Sequence, residues 1–344
     1  MSILDTGAVD GMHGNGYRVS GILGRTDGCR DPLWGVEFRL TPVERALLRT
    51  WELRRLQFIA HAGGAAVTTT QTYTRLEHSL GLLALVVHFA PDDHAARVAA
   101  LLHDVGHLPF SHTFEGVAGL HHHELGRKRV RGLTQLLADH GLDVEEVLAV
   151  EEPGSTSVLR PVGGLKLDHL ESFVRSGRVH GRLTEAPART LAKLRLVDGA
   201  VHTDAETGGY LAELAYGEAS YMCGYENIVA NAALTAMVET LLAGGLDSAE
   251  LADFTDDELW AALLAEPTTA AMARLLRRDP LAWEMLPVDH PEAGQGFAYQ
   301  LRKLYLDTPF VDGEPIGVPS ERMAELPQMP LRCVVLPREL RKAS

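Results

Sequence analysis

The sequence predicts a mainly α-helical fold that ends in a small C-terminal lobe of mixed helix and strand. Three observations carry this expectation. Apolar residues recur at three-and-four spacing between residues 80 and 105, Gly and Pro punctuate further helix-like stretches downstream, and aromatic and branched residues gather near the end of the chain. An apolar content of 46% over 344 residues is ample for a core, and the length allows one large domain or two of ordinary size.

Taken in order, residues 1–28 are rich in Gly and polar side chains without periodicity and read as a flexible arm. Residues 36–40 (VEFRL) alternate as a short strand does. Thr41, Pro42 and Glu44 then supply a cap, a first-turn Pro and a Glu three residues after the cap, so a helix is expected from Pro42 toward Phe58. Leu80, Leu83, Ala84 and Val87 form one apolar helix face, and Val98, Leu101, Leu102 and Val105 form another that Gly106 should stop. Helices are further expected at 124–140, 165–175, 210–243, 255–264 and 269–276, and strands within 299–318 and at 333–336. The resulting organisation is an arm (1–28), a helical core (29–285) and a C-terminal lobe with short strands (286–344).

Composition narrows the function. No apolar run approaches the roughly 18 to 20 residues that span a bilayer, and the first residues lack a basic flank before an apolar stretch, so a soluble cytoplasmic protein with no membrane partner is expected. Cys29, Cys223 and Cys333 are isolated, which suggests neither a disulfide framework nor a thiolate zinc site. Any metal must then be held by nitrogen and oxygen. A net charge of -14 argues against a nucleic-acid partner but leaves room for a small phosphorylated ligand neutralised by a metal.

Histidine is the anomaly, because nine of the 16 copies lie between His78 and His123. The segment 98–110 (VAALLHDVGHLPF) sets His103 and Asp104 at the end of a very apolar helix. An ionised carboxylate there is costly unless a cation or hydrogen-bond donors compensate it. His103 and His107 are four apart and share a face if the helix persists. Imidazole and carboxylate donors without sulfur fit a divalent transition metal (Fe, Mn, Co, Ni or Zn), or Mg if water completes its shell.

Residues 75–81 (RLEHSLG), residues 103–112 (HDVGHLPFSH) and Asp168 within KLDHLESFVRS resemble, in that order, the His…His-Asp…Asp signature of HD-domain metal-dependent phosphohydrolases. The likeness is greatest to the branch of dNTP triphosphohydrolases, and residues 31–35, 53–59 and 63–64 share it. Clear motifs cover roughly residues 30–180. The resemblance implies an HD-domain helical bundle with His78, His103, Asp104 and Asp168 as metal ligands. It further implies that Arg75 contacts phosphate, that His107 stabilises charge on the attacked phosphoryl group, that His112 and Glu115 form an acid/base dyad, and that His123 is a further active-site histidine, in a register that the run 121–123 leaves open. Phosphoryl transfer to water requires charge neutralisation, a deprotonated water and a proton for the leaving oxygen, which such groups can supply.

The pattern departs from that branch at the substrate. His61 stands where those enzymes have a Gln near the sugar, Ser172 where they have a Tyr, and Ser176 where they have an Asp, while residues 221–225 carry no Arg or His for a polyphosphate. Lys166, Arg175, Arg178, Arg182 and Lys193 are candidate compensating cations. The expected substrate is therefore a nucleoside mono- or triphosphate, with room for a ribose or modified sugar, attacked at the phosphoryl group attached to the sugar. The alternatives are a dNTP triphosphohydrolase releasing triphosphate, a di-iron HD oxygenase and a non-catalytic nucleotide-binding regulator; a homo-oligomer is compatible with each.

Overall fold

The computed structural model describes residues 26–152 and 157–338. Most of the expected arm lies outside them, and at its end Gly28 already opens a strand. That strand, β1 (Gly28–Arg30), pairs antiparallel with β2 (Glu37–Arg39), with Cys29 opposite Phe38. The expected capping box then starts α1 (Pro42–Leu47): the Thr41 hydroxyl accepts from the Glu44 amide at 3.3 Å, and the Glu44 carboxylate accepts from the Thr41 amide at 2.7 Å. The helix does not continue to Phe58 as one piece. Thr50 caps a new short helix, α2 (Trp51–Arg54), which tightens into a 3-10 turn over Arg55–Phe58.

Helices α3 (Arg75–Phe89), α4 (His94–Leu102), α5 (His122–Gly132), α6 (Thr134–Ala138), α7 (Val144–Ala149), α8 (Leu167–Val179) and α9 (Pro187–Leu191) follow. A second capping box, Thr74 with Glu77, begins α3, and Asp93 caps α4. Helix α3 packs against both α4 and α8, which is the arrangement that matters for the site. A hairpin, β3 (Arg195–Val197) and β4 (Ala200–His202), leads into α10 (Ala205–Met222) and α11 (Tyr225–Ala243). The single helix expected over 210–243 is thus two. Its continuous apolar pattern hides the break at Gly224, whose extended backbone (φ -71°, ψ 155°) cannot lie inside a helix.

Helices α12 (Ser248–Asp253), α13 (Asp256–Ala265) and α14 (Pro267–Arg278) precede β5 (Trp283–Leu286), β6 (Phe297–Leu301), β7 (Phe310–Val311), β8 (Glu314–Pro315), α15 (Ser320–Glu325) and β9 (Leu331–Pro337). Strand β9 is the centre of a three-stranded antiparallel sheet, β5-β9-β6, and β7 pairs parallel to β4. Among the described residues the fold is mainly α with three small sheets. The boundary expected near residue 285 falls within β5.

Two apolar clusters underlie this layout. One gathers α1 to α8, with Leu47, Leu83, Val98 and Leu170 among its fully buried members; the other gathers α11, α13, α14 and the sheet around Met237, Leu259 and Trp283. The segment after α4 crosses between them, for Val105 belongs to the first cluster and Leu108, Phe110 and Phe114 to the second. Arg55, 2% exposed, fastens the crossing by donating to the carbonyls of His107 (2.7 Å), Ala252 (2.9 Å), Asp253 (3.0 Å) and Phe254. The Asp256 carboxylate accepts from the Phe110 amide at 2.6 Å and the Ala60 amide at 2.8 Å. The chemistry-bearing loop is therefore anchored on both sides. Among the described residues, no helix is long and apolar enough to cross a membrane.

Candidate active site

Helices α3 and α8 and the end of α4 bring His78, His103, Asp104 and Asp168 together. The Nε2 atoms of His78 and His103 lie 3.2 Å apart, Asp168 Oδ1 lies 3.2 Å from the first and 3.9 Å from the second, and Asp104 oxygens lie 3.2 Å from His103 Nε2 and 3.9 Å from His78 Nε2. Two donors bound about 2.1 Å from one cation at 90 to 109° would stand roughly 3.0–3.4 Å apart, so the spacing suits ligands around a single ion. The opposite ring edges are occupied. His78 Nδ1 bonds the buried Glu171 carboxylate, and His103 Nδ1 donates to the Ala100 carbonyl at 3.0 Å. Both Nε2 atoms are thereby turned toward the two carboxylates, and only a proton or a cation can relieve that gathering of acceptors. Burial opposes charge on His78, but Glu171, Asp168 and Asp104 outweigh it and pull its pKa up to about 9. The donor set fits a divalent cation.

The carboxylates are ready for one too. Burial works against ionisation of Asp104, yet Arg75, His103 and His107 hold it well below the usual carboxylate range; for Asp168, Lys166 (2.5 Å from Oδ2), His78 and His169 do the same. Glu171, which no sequence signal had marked, is itself clamped by Arg175, with Nε and Nη2 both at 2.6 Å. A Cβ at Gly81 would collide with this pair, so Gly81 lets α8 approach α3 closely enough for the clamp to form.

A second histidine cluster adjoins the first. His107 Nε2 lies 3.0 Å from Asp104 Oδ1, its ring stacks on His122 at 4.4 Å, and His112 meets both rings edge-on at 4.6 and 4.9 Å. Here the structure differs from expectation in two ways. Glu115 bonds His122 Nδ1 at 2.7 Å and His121 Nδ1 at 3.1 Å, not His112, because the chain makes a 3-10 turn over His112–Phe114 and Glu115 then faces the start of α5. In the 121–123 run, whose register the sequence leaves open, it is His122 that joins the cluster, while His123 packs against His122 at 4.0 Å and also lines the cavity. Gly106 permits this, since a Cβ there would run into the backbone of His122 and Gly126. Burial and the Arg75 charge hold His107 and His112 well below 6.5, burial and His122 hold His123 near 4, and the bonds from His122 and His121 overcome burial to hold Glu115 down to about 2.

The residues expected at phosphate and sugar are placed as follows. Arg75, 4% exposed, is committed to protein on three nitrogens: Nη1 to Asp104 at 2.8 Å, Nε to Ser111 at 2.9 Å and Nη2 to the His61 carbonyl at 3.3 Å. Of its five N–H donors, two remain for a ligand. Ser172 and His61 line the same cavity, 3.5 Å apart, and His61 stacks on Tyr73. Ser176 does not line it. Its hydroxyl, 1% exposed, accepts from Gln71 at 2.8 Å and donates to Glu218, and it is the Glu218 carboxylate that reaches the cavity. Of the expected compensating cations, Lys166 lines the cavity; Arg175 and Lys193 are paired elsewhere, with Glu171 and Glu185.

A helical fold whose paired histidines and carboxylates converge on one point defines a class, and the sequence of residues 75–185 matches the family model described as HD domain. The match spans about a third of the chain. It is similar to the metal-dependent phosphohydrolase cns2 of Cordyceps militaris, 33% identical over 177 residues that make up 48% of this chain and 50% of that protein. It is also similar to the deoxynucleoside triphosphate triphosphohydrolase SAMHD1 of Homo sapiens, 33% identical over 101 residues, 25% of this chain and 16% of that one. The chain spans 20% to 50% of the length of the first three curated relatives it matches. A solved phosphohydrolase structure from Bacteroides thetaiotaomicron shares the fold, with a TM-score of 0.66 and 17% identity over 90% of this chain and 99% of that one.

Proposed function

We propose that this protein is a metal-dependent phosphohydrolase that cleaves a nucleotide at the phosphoryl group attached to the sugar. The observation that carries the reading is the convergence of His78, His103, Asp104 and Asp168, with both imidazole Nδ1 atoms already held, where His103, Asp104 and Asp168 line a cavity of about 1610 Å³ and His78 lies buried behind them. A divalent cation bound there would supply Lewis-acid polarisation and lower the pKa of water. Asp104 and Asp168 hold the charge that such an ion must meet, and Arg75 offers its two remaining N–H groups to a phosphoryl oxygen. His112, neutral and facing the cavity, takes or gives a proton at the reacting oxygen, while Glu115 fixes the ring of His122 beside it.

Likeness to a deoxynucleoside triphosphate triphosphohydrolase favours triphosphate release, whereas the small hydroxyl of Ser172 favours tolerance of a ribose. A second reading, a dinuclear oxygenase, draws on the grouping of His107, His112 and His122 as potential ligands next to Asp104. One screen tests these readings together. Protein loaded with Mn, Co, Fe or Mg is offered nucleoside mono- and triphosphates, with phosphate, pyrophosphate and triphosphate release, metal stoichiometry and oxygen uptake followed. Metal-dependent release of a nucleoside is expected; two metals per chain with oxygen uptake and no hydrolysis would replace the proposal with the second reading.

A further inference from the structure

The groups around Arg75 are held in place from outside the cavity. Leu108 to Ser111 form a tight turn, closed by the Ser111 amide on the Leu108 carbonyl at 3.0 Å, with Pro109 and Phe110 at its corner. Phe110 has φ 52°, and Ser111 has φ 56° with ψ -119°. Residues with a Cβ disfavour this left-handed region, and for one as bulky as Phe it is an outlier. Two such residues in a row persist only where their surroundings over-determine them, and such places cluster at functional sites.

Ser111 shows what the turn achieves. Its hydroxyl donates to the Ala60 carbonyl at 2.5 Å and accepts from Arg75 Nε at 2.9 Å, while Arg75 Nη2 donates to the neighbouring His61 carbonyl at 3.3 Å. The Arg75 amide in turn donates to the Ile59 carbonyl at 2.9 Å. Two segments, 59–61 and 108–111, thus frame the guanidinium before it meets Asp104 at 2.8 Å.

One carboxylate joins those segments. Asp256 Oδ1 accepts from the Phe110 amide and Oδ2 from the Ala60 amide. Four residues on, along the same face of α13, Trp260 meets the Phe110 ring edge-on at 6.2 Å, so this helix holds Phe110 both by its amide and by its ring. An Asp in the first turn of a helix ordinarily caps it or faces the positive end of its dipole. Here Thr255 and Glu258 form the capping box, with the Glu258 carboxylate accepting from the Thr255 amide at 2.7 Å, and both Asp256 oxygens are turned to amides distant in the sequence. Asp256 itself stands outside the cavity lining.

We infer that Asp256 is a positioning residue of the active site: it holds the strained turn against the 59–61 segment, and so aims Ser111 and the two free N–H groups of Arg75 at the reacting phosphoryl group. This rests on the proposed nucleotide hydrolysis, in which Arg75 offers those groups to a phosphoryl oxygen. Without the carboxylate the turn keeps its strain and loses its partner, and a displacement of about 1 Å at a reacting group can cost about 10²-fold in rate.

The test uses the full chain loaded with Mn, at pH 8, where a carboxyl that burial pushes up to about 7 is mostly ionised. In Asp256→Asn one oxygen still accepts, but the side-chain amide sets a donor against a backbone donor. Its kcat on a nucleoside triphosphate should fall about 10-fold to 10²-fold, with KM within about threefold of wild type and Mn content unchanged. Ser111→Ala should show the same split between kcat and KM. The double variant should lose far less than the product of the two single losses, because both act on Arg75. Losses that simply multiply, or a kcat within about twofold of wild type in either single variant, would overturn the inference while nucleotide hydrolysis stands. If the wild type cleaves no nucleotide, the proposed function falls, and inorganic vanadate, a mimic of the five-coordinate phosphoryl transition state, decides by calorimetry. Affinity about tenfold lower in each single variant and no lower in the double keeps Asp256 as the support of an oxyanion site, and unchanged affinity overturns it. If Asp256→Asn melts early, Ser111→Ala, which leaves the α13 contacts intact, decides alone: the split between kcat and KM upholds the inference, and an unchanged kcat sinks it.

Discussion

The pair His78 and His103 and the trio His107, His112 and His122 stand side by side, yet what lies behind the rings differs. Behind the pair are Glu171 and a carbonyl, and in front are two carboxylates. Behind the trio there is little: His107 Nδ1 is buried without a partner, and Glu115 reaches only His122 of the three. The first environment raises one imidazole to about 9, while the second keeps His107 and His112 well below 6.5. The same side chain is thus prepared for a cation in one place and for proton transfer in the other, and the difference comes from the groups around it.

The largest expected effect breaks the first cluster. Asp104→Ala should lower activity about 10³-fold or more, since it removes a charged ligand from a site that phosphoryl chemistry depends on, and should reduce metal retained after dialysis. Turnover near wild type in a chelated Asp104→Ala sample would remove the basis for the comparison. Next comes the second cluster. His112→Ala should cost roughly 10² to 10⁴-fold in rate, the usual range for lost acid/base catalysis, with metal content unchanged. Loss of metal in that variant would instead make the trio a ligand set. Smaller again is Glu171→Gln, in which the neutral amide holds the His78 ring less firmly and faces Arg175 less favourably. Metal affinity should weaken roughly 10 to 100-fold, read by competition with a chelator; an unchanged affinity would show that Glu171 only braces α8.

How much of this was legible in the sequence follows from how locally it is encoded. Of the proposed metal wall, His103 and Asp104 stood out because a His-Asp pair ends a very apolar helix, whereas His78 and Asp168 came only with the resemblance to HD-domain phosphohydrolases. Glu171 was not legible, although it sits three residues after Asp168, because a Glu on a helix looks like a solvated residue until Gly81 admits it. His122 was only bracketed: three consecutive histidines offer three registers, and the contact of Gly106 with α5 selects one. The break at Gly224 escaped because the apolar pattern runs on through it, and the bond of Asp307 to His169 escaped because it joins distant elements. No spacing within residues 299–318 says that Asp307 will meet His169.

The smallest effect reads His107 by pH. His107 is 2% exposed, and burial, then the charge of Arg75, keeps it neutral well below 6.5 despite Asp104. In the unfolded chain the same ring takes up a proton near 6.5. Below that pH the unfolded state binds more protons than the folded one, so stability falls as pH falls, by up to about 1.4 kcal/mol per pH unit for one such group. His78, Asp104 and Asp168 are silent in that window. His78, raised to about 9, contributes stability that is fully present below 6.5 and is lost only as pH rises through 9. The carboxyls of Asp104 and Asp168, depressed from 3.8, contribute stability that is lost only as pH falls below that value. Other groups titrate in the same window, His61 and His112 in the same direction and Asp256, pushed up to about 7 by burial, in the opposite one. The readout is therefore the difference: urea denaturation in chelator at several values between pH 5 and 6.5 should give a slope of stability against pH that is less positive in His107→Gln than in wild type. Parallel slopes in the two proteins would mean that folded His107 accepts its proton as readily as an exposed imidazole, and the contrast between the clusters would then rest on geometry alone.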